Sequence, residues 1–172
     1  DPRAILRLSS VIKQNRPDLL FGWMYDANLA LYLAATLGRH RQPLLWNIRR
    51  ALDDENIDHR IKRGVIRLNG MLSRGVDRVV YCGKKVAEQH EAKGFCRSKR
   101  QIILNGFNTS LFSPSPAARE RLRAELNLPA SAVIVGNVGR FPPQKDHVSL
   151  IKAAARLRRH DIHLALIGRD LT

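Results

Sequence analysis

The segment with the most chemical content is GNVGRFPPQKDH, residues 136–147. Gly136 and Gly139 let the backbone run close to a ligand. Arg140 offers a planar fork for phosphate oxygens, and Lys145 a mobile point charge. Asp146 is a candidate helix N-cap, which leaves backbone N–H groups and the positive end of a helix turned toward the loop. Two cations and a helix N-terminus around one loop suit a diphosphate. On spacing alone a second reading stays open, in which Arg140 and Lys145 are surface charges on a connecting loop. The glycine patterns of a dinucleotide fold and of a P-loop are both absent, which disfavours a dehydrogenase and a nucleoside triphosphatase. No serine occupies a nucleophile elbow, and the six histidines form neither a triad nor a metal set. No metal and no cofactor are expected.

A loop of this kind needs a buried strand before it and an amphipathic helix after it. AVIVGNVG, residues 132–139, is near-continuously apolar, as parallel strands buried on both faces are. A helix is expected over 147–159 and a last strand over 163–167. The same alternation runs through the earlier chain. Strands are expected over 19–23, 44–48, 78–82 and 101–104. Helices are expected over 3–16, where Ile5, Leu8, Val11 and Ile12 share a face, and over 26–37. A longer helix over 57–72 places Ile57, Ile61, Val65, Leu68 and Leu72 in one buried stripe. Two more cover 85–94, closed by Gly94, and 117–127. The pattern gives an α/β fold of Rossmann-like parallel sheets with helices on both faces. NGFNTSLFSPSP, residues 105–116, is a turn-rich linker that continues neither helix nor strand, and it divides the chain into 1–112 and 113–172. An amphipathic helix opens the chain and a short strand nearly ends it, so both ends look cut.

At 172 residues and 44 % hydrophobic content, the chain is long enough for one buried core and a smaller remainder. Thirty Lys and Arg stand against fifteen Asp and Glu, a net charge of +15 that attracts polyanions. A basic nucleic-acid-binding α/β module without catalysis is the alternative this charge permits. Against it, aromatic residues make up 6 % and do not interleave with the basic run. Arg49, Arg50, Arg60, Lys62, Arg63, Arg67 and Arg74 cluster in the first part, either as a solvated helix face or as a patch for an anionic membrane surface. Cys82 and Cys96 are too few for a disulfide framework, and Cys82 reads as a reduced, buried thiol. With no membrane-spanning run and no signal peptide, a cytoplasmic protein is expected, peripheral on the inner face of the plasma membrane if the basic patch docks.

The ordered series ILNGFNTSLFSP, LRAELNLP, VIVGNVGRFPPQKDH and LALIG resembles the retaining GT-B glycosyltransferases of the group 1, family 4 type, which use nucleotide sugars. The resemblance implies a partial GT-B two-domain architecture. Residues 1–112 become the later part of the acceptor-side domain, and 113–172 the start of the donor-nucleotide domain. It implies that Gly139, Arg140 and Lys145 hold the donor diphosphate, and that Arg140 and Lys145 stabilise it as the leaving group, without a metal. LLFGWMYDANL and PLLWNIRRAL resemble bacterial members that build surface polysaccharide on a lipid carrier. On that likeness Trp23, Tyr25, Asp26, Asn28, Asn47 and Arg49 belong to the acceptor side. Trp23 and Trp46 sit at strand ends, where core and cleft are equally open. Related enzymes carry a His where this chain has Asp26, which either takes its place or caps the following helix. The family's paired donor glutamates and its first glycine-rich loop do not occur here. The resemblance therefore implies a fragment that does not turn over alone.

Overall fold

A computed structural model describes residues 2–52, 60–139, 145–157 and 159–169. The chain divides into two units, Asp1–Gly106 and Phe107–Thr172. The division falls inside the turn-rich linker, at its Asn-Gly step, ahead of the 112/113 position expected from the prolines.

In the first unit the order is α1 (Pro2–Asn15), β1 (Leu20–Trp23), α2 (Met24–Leu37), β2 (Leu44–Ile48), α3 (Arg60–Leu72), β3 (Arg78–Tyr81), α4 (Lys84–Glu91) and β4 (Arg100–Ile102). The strands form one four-stranded sheet in the order β1-β2-β3-β4. Every pair is parallel, with Trp23 opposite Asn47, Asn47 opposite Val80, and Tyr81 opposite Ile102. That register brings the carboxyl ends of all four strands to one edge, where open α/β sheets place their ligands.

β2 is buried at Leu44, Trp46, Asn47 and Ile48, so both faces of the sheet are covered at its centre. Trp46 is fully buried and meets Tyr32 of α2 edge-on, ring centroids 5.9 Å apart. Asp77 fixes the start of the sheet: its carboxylate accepts from the Leu44 N–H at 2.7 Å while its own N–H donates to the Leu44 carbonyl at 2.9 Å. Gly94, at φ +100, occupies the left-handed conformation expected of the residue that closes the α4 turn.

The second unit holds α5 (Pro116–Glu125), β5 (Val133–Val138), α6 (His147–Arg156) and β6 (Ile162–Ile167). β5 and β6 form a parallel two-stranded sheet. Ser115 caps α5 by accepting from the Ala118 N–H at 3.2 Å, with Pro116 in the first turn, where a missing N–H costs nothing.

Three packing expectations are corrected. In α1, Ile12 is buried and Ile5 and Leu8 half-buried, but Val11 points outward. In α3 only part of the expected stripe is covered: Val65 and Leu72 are half-buried, Leu72 against the core. Ile61 is 81 % exposed and Leu68 is exposed too, while Ile66, Asn69 and Gly70 face inward; Ile57 lies outside the described residues. Gly70 explains the rotation, because a Cβ there would come within 2.9 Å of the Lys93 carbonyl oxygen. The side of α3 with the smallest residue is the side that can approach the α4 turn. Lastly, β5 is not buried on both faces: Val133, Val135 and Val138 are all exposed. Within the described residues it has one strand neighbour, too little to cover it. Cys82 is half-buried and, like Cys96, free.

Candidate functional site

The acceptor-side candidates gather at the carboxyl edge of the first sheet, and a single residue makes the turn that puts them there. β1 ends at Trp23 and α2 begins at Met24, whose φ of 66 is left-handed. Such a backbone is uncommon for a residue with a long side chain and is held only where its surroundings fix it. Here the Met24 sulfur accepts from the Arg49 N–H at 3.4 Å, tying the turn to the end of β2.

Arg49 is the hub of this edge. Its guanidinium lies 5.4 Å from the centre of the Trp23 ring, and its Nη2 donates to Asn105 Oδ1. Arginine is suited to this double task, since its plane stacks on an aromatic face while its edge donates hydrogen bonds. Three successive parts of the chain, the ends of β1 and β2 and the segment after β4, are thereby joined by one side chain. Trp23 itself is 54 % exposed, whereas Trp46 belongs to the core.

Tyr25 is held differently. Its O–H is 2.7 Å from Nε2 of His90 on α4, and His90 Nδ1 is 2.7 Å from the Val86 carbonyl oxygen. A carbonyl only accepts, so Nδ1 carries the hydrogen and Nε2 accepts from the tyrosine. Burial pushes the Tyr25 pKa up to about 12, despite the opposing pull of Arg50, so the phenol stays a donor. Burial also lowers the His90 pKa, against the Val86 hydrogen bond that raises it.

The native state therefore binds a proton at His90 less readily than the unfolded chain does. Its stability contribution is complete above the ordinary histidine pKa of about 6.5 and is lost as pH falls from there toward the depressed native value. The melting temperature should drop between about pH 7 and pH 5, and His90→Gln should flatten that part of the profile. Thermal denaturation across pH checks this; an unchanged slope in the variant would place the sensitivity elsewhere.

Asp26 does not cap α2. The capping position is Trp23, without a side-chain bond, and Asp26 sits exposed in the first turn, where its charge favours the positive helix end. Asn28 is fully buried against β1, and a Cβ on Gly22 would fall 2.5 Å from its Oδ1 and 3.0 Å from its Cα. Only glycine allows that approach. Asn47 is buried in β2, and its Oδ1, like both amide atoms of Asn28, has no hydrogen-bond partner among the described residues. A cavity of about 180 Å³ opens beside the turn, between Tyr25, Asp26, Arg50, Lys62 and Ile66. It combines one carboxylate with two cations on apolar walls.

Among the candidates for the diphosphate, Gly139 follows β5 directly and its N–H donates to the Ile167 carbonyl at 2.8 Å. The Lys145 stem lies beside it: a Cβ on Gly139 would be 3.5 Å from Lys145 Cε, ordinary contact distance. Asp146 caps α6, accepting from the Ser149 N–H at 3.3 Å, with a left-handed φ of 45. Lys145 is thus brought next to the glycine and immediately before a helix N-terminus. Arg140, with residues 141–144, lies outside the described residues. Sequence reasoning passed over His90, Asn105 and Met24. Asn105 was visible as part of the Asn-Gly turn; nothing in the sequence marked His90 as the partner of Tyr25.

The family model for Glycosyltransferase Family 4 matches residues 1–111. The chain belongs to Glycosyltransferase Family 4. Within that family's wider company, it is 32 % identical over 71 residues to EpsF of Bacillus subtilis (strain 168), named as a glycosyltransferase, a match over 41 % of this chain and 18 % of EpsF. Among solved structures, Anabaena Alr3699/HepE in complex with UDP has a TM-score of 0.80 at 21 % identity, over 94 % of this chain and 42 % of HepE. The same protein with UDP-glucose gives 0.75 at 21 % identity, again over 94 % and 42 %. A glycosyltransferase from Rickettsia africae ESF-5 gives 0.67 at 15 % identity, over 99 % of this chain and 53 % of that one. These likenesses show the fold, and it is the expected α/β class. The family chain described here spans about half or less of each of these relatives.

Proposed function

We propose that this chain forms part of a retaining hexosyltransferase. It would move a sugar from a nucleotide-sugar donor to a lipid-linked or glycan acceptor in bacterial surface polysaccharide biosynthesis. The observation that carries the reading is the placement of Lys145 against Gly139, immediately before the N-terminus of α6. An ammonium beside a close-approach glycine and a helix N-terminus is what a diphosphate needs. UDP and UDP-glucose are the ligands of the HepE structures, which makes a uridine diphosphate sugar the first donor to test.

In this reaction the bond between the anomeric carbon and the phosphate oxygen breaks, and its electron pair leaves with the nucleoside diphosphate. The acceptor hydroxyl oxygen bonds to the anomeric carbon, and the hydroxyl proton passes to the departing phosphate. Lys145, with Arg140, compensates the charge that develops there, so no metal is assigned. On the acceptor side, Asp26 has an exposed carboxylate at the mouth of a cavity that also holds Arg50 and Lys62. A carboxylate beside cations suits an acceptor that carries both a hydroxyl and a phosphate. Trp23 stacked under Arg49 supplies an apolar face against which a sugar ring packs. Two free cysteines fit a reducing, cytoplasmic site of action.

Calorimetric titration of the chain with UDP and with GDP tests the reading. Binding of at least one, weakened by salt, is expected. Incubation with nucleotide sugars should give no transfer by this chain alone. Failure to bind either diphosphate, together with salt-dependent binding to random duplex DNA, would overturn the proposal in favour of a nucleic-acid module.

A further inference from the structure

The sequence contains the Asn-Gly step twice, at Asn69–Gly70 and at Asn105–Gly106. In this pairing an asparagine side chain can react with its own main chain, because glycine carries no Cβ to hinder approach to its nitrogen. The fold treats the two steps in opposite ways. Asn69 and Gly70 are buried near the end of α3, where backbone N–H groups belong to the helical ladder. There Asn69 Nδ2 donates to the Val65 carbonyl at 2.9 Å. Asn105 and Gly106 are exposed and lie outside helix and strand. No backbone carbonyl among the described residues accepts from the Gly106 N–H, and a Cβ on Gly106 would meet nothing within 4 Å.

The group on the Asn105 side-chain oxygen sets this step further apart. Arg49 Nη2 donates to Oδ1, and Arg49 is itself stacked on Trp23 and anchored through its N–H to the Met24 sulfur. When a nitrogen bonds to Asn105 Cγ, that oxygen takes on the negative charge of a tetrahedral intermediate. A guanidinium already hydrogen-bonded there stabilises the charge, as an oxyanion donor does. We infer that Asn105 is a site of self-catalysed deamidation, promoted by Arg49. The Gly106 nitrogen bonds to Cγ, its proton passes to the side-chain amide nitrogen, and ammonia departs to leave a cyclic succinimide. Water then opens the ring at either carbonyl, giving aspartate or isoaspartate. Aspartate places a carboxylate against Arg49 and turns a hydrogen bond into an ion pair. Isoaspartate carries the main chain through the side-chain carbon, which lengthens it at the boundary between the two units. The chemistry needs neither nucleotide nor sugar, so it stands or falls independently of the transfer reading.

The test is peptide mass spectrometry on the chain during incubation in mildly alkaline buffer, following the mass gain of an amide-to-acid exchange at each asparagine. Conversion is expected at Asn105, while Asn69 stays an amide. Asn127, exposed but followed by leucine, supplies the background rate. Gly106→Ala should slow the reaction at Asn105 severalfold. Arg49→Met keeps the aliphatic stem but removes the donor, and should slow it by roughly tenfold, less than in a water-excluded site because this one faces solvent. Arg49→Lys keeps a donor of different shape, and its rate should fall between the two. Melting temperatures of the variants show that each is folded during the incubation. Conversion at Asn105 no faster than at Asn127, or equal conversion of Asn69, would overturn the inference. So would an Arg49→Met rate equal to the parent's or above it, since the arginine would then be idle or would shield the amide.

Discussion

Lys145→Ala, made in the complete enzyme, is expected to lower kcat/KM by about a hundredfold to a thousandfold. That corresponds to about 2.7–4 kcal/mol of lost transition-state stabilisation. Charge appears on the leaving group during the proposed transfer. In the proposed reaction the leaving diphosphate gains negative charge at the bridging oxygen, and the Lys145 ammonium would oppose it without reorganisation. Lys145 is exposed and its stem runs along Gly139, so truncation leaves no cavity and the fold should be untouched. The loss should therefore be kinetic, with an unchanged melting temperature. Part of it should also appear as weaker UDP or GDP binding in the 172-residue chain. Kinetics and binding equal to the parent would remove Lys145 from the site. Lys145→Arg keeps the charge but changes its shape, and partial recovery is expected.

Trp46→Ala is expected to destabilise the first unit by about 3–5 kcal/mol. The side chain is fully buried at the centre of β2, between strands on both sides, with Tyr32 packed edge-on against it. Removing it empties the middle of the sheet, where backbone pairing on two sides prevents collapse into the gap. Trp23→Ala makes the natural contrast. That ring is more than half exposed, and its loss should leave the melting temperature close to the parent's while releasing the Arg49 guanidinium from its stack. Denaturant unfolding of the two variants side by side measures the difference. Equal costs would contradict the assignment of one tryptophan to the core and the other to the rim.

The two tryptophans also show how far sequence carries. Both lie in short strands, Trp23 at the end of β1 and Trp46 at the middle of β2, and pattern alone left each open between core and cleft. Register decided it, because only the pairing of β2 between β1 and β3 encloses Trp46. The order of strands and helices was legible throughout, since alternating apolar runs and amphipathic stretches leave few other arrangements. The cap of α6 at Asp146 was legible as well, in a carboxylate standing just ahead of an amphipathic stretch. What pattern could not give was rotation. The apolar repeat through Ile61 and Leu68 pointed to a buried stripe, but a close approach at Gly70 turned the helix and left those residues outside. A glycine's role in packing depends on what stands opposite, and that is a property of the tertiary structure. Long-range hydrogen bonds are hidden for the same reason. The partners Tyr25 and His90 are separated by most of the unit, and neither has a local signature that names the other.

The passage from β1 into α2 through one left-handed methionine bears on any attempt to re-engineer this rim of the sheet. A transplant of the neighbouring residues from a family member would succeed only if its counterpart at position 24 tolerated that backbone. Glycine or asparagine would graft readily; valine or isoleucine would swing the helix off its axis and carry Tyr25 and Asp26 away with it. Libraries that diversify this rim should accordingly leave the pivot fixed and randomise around it.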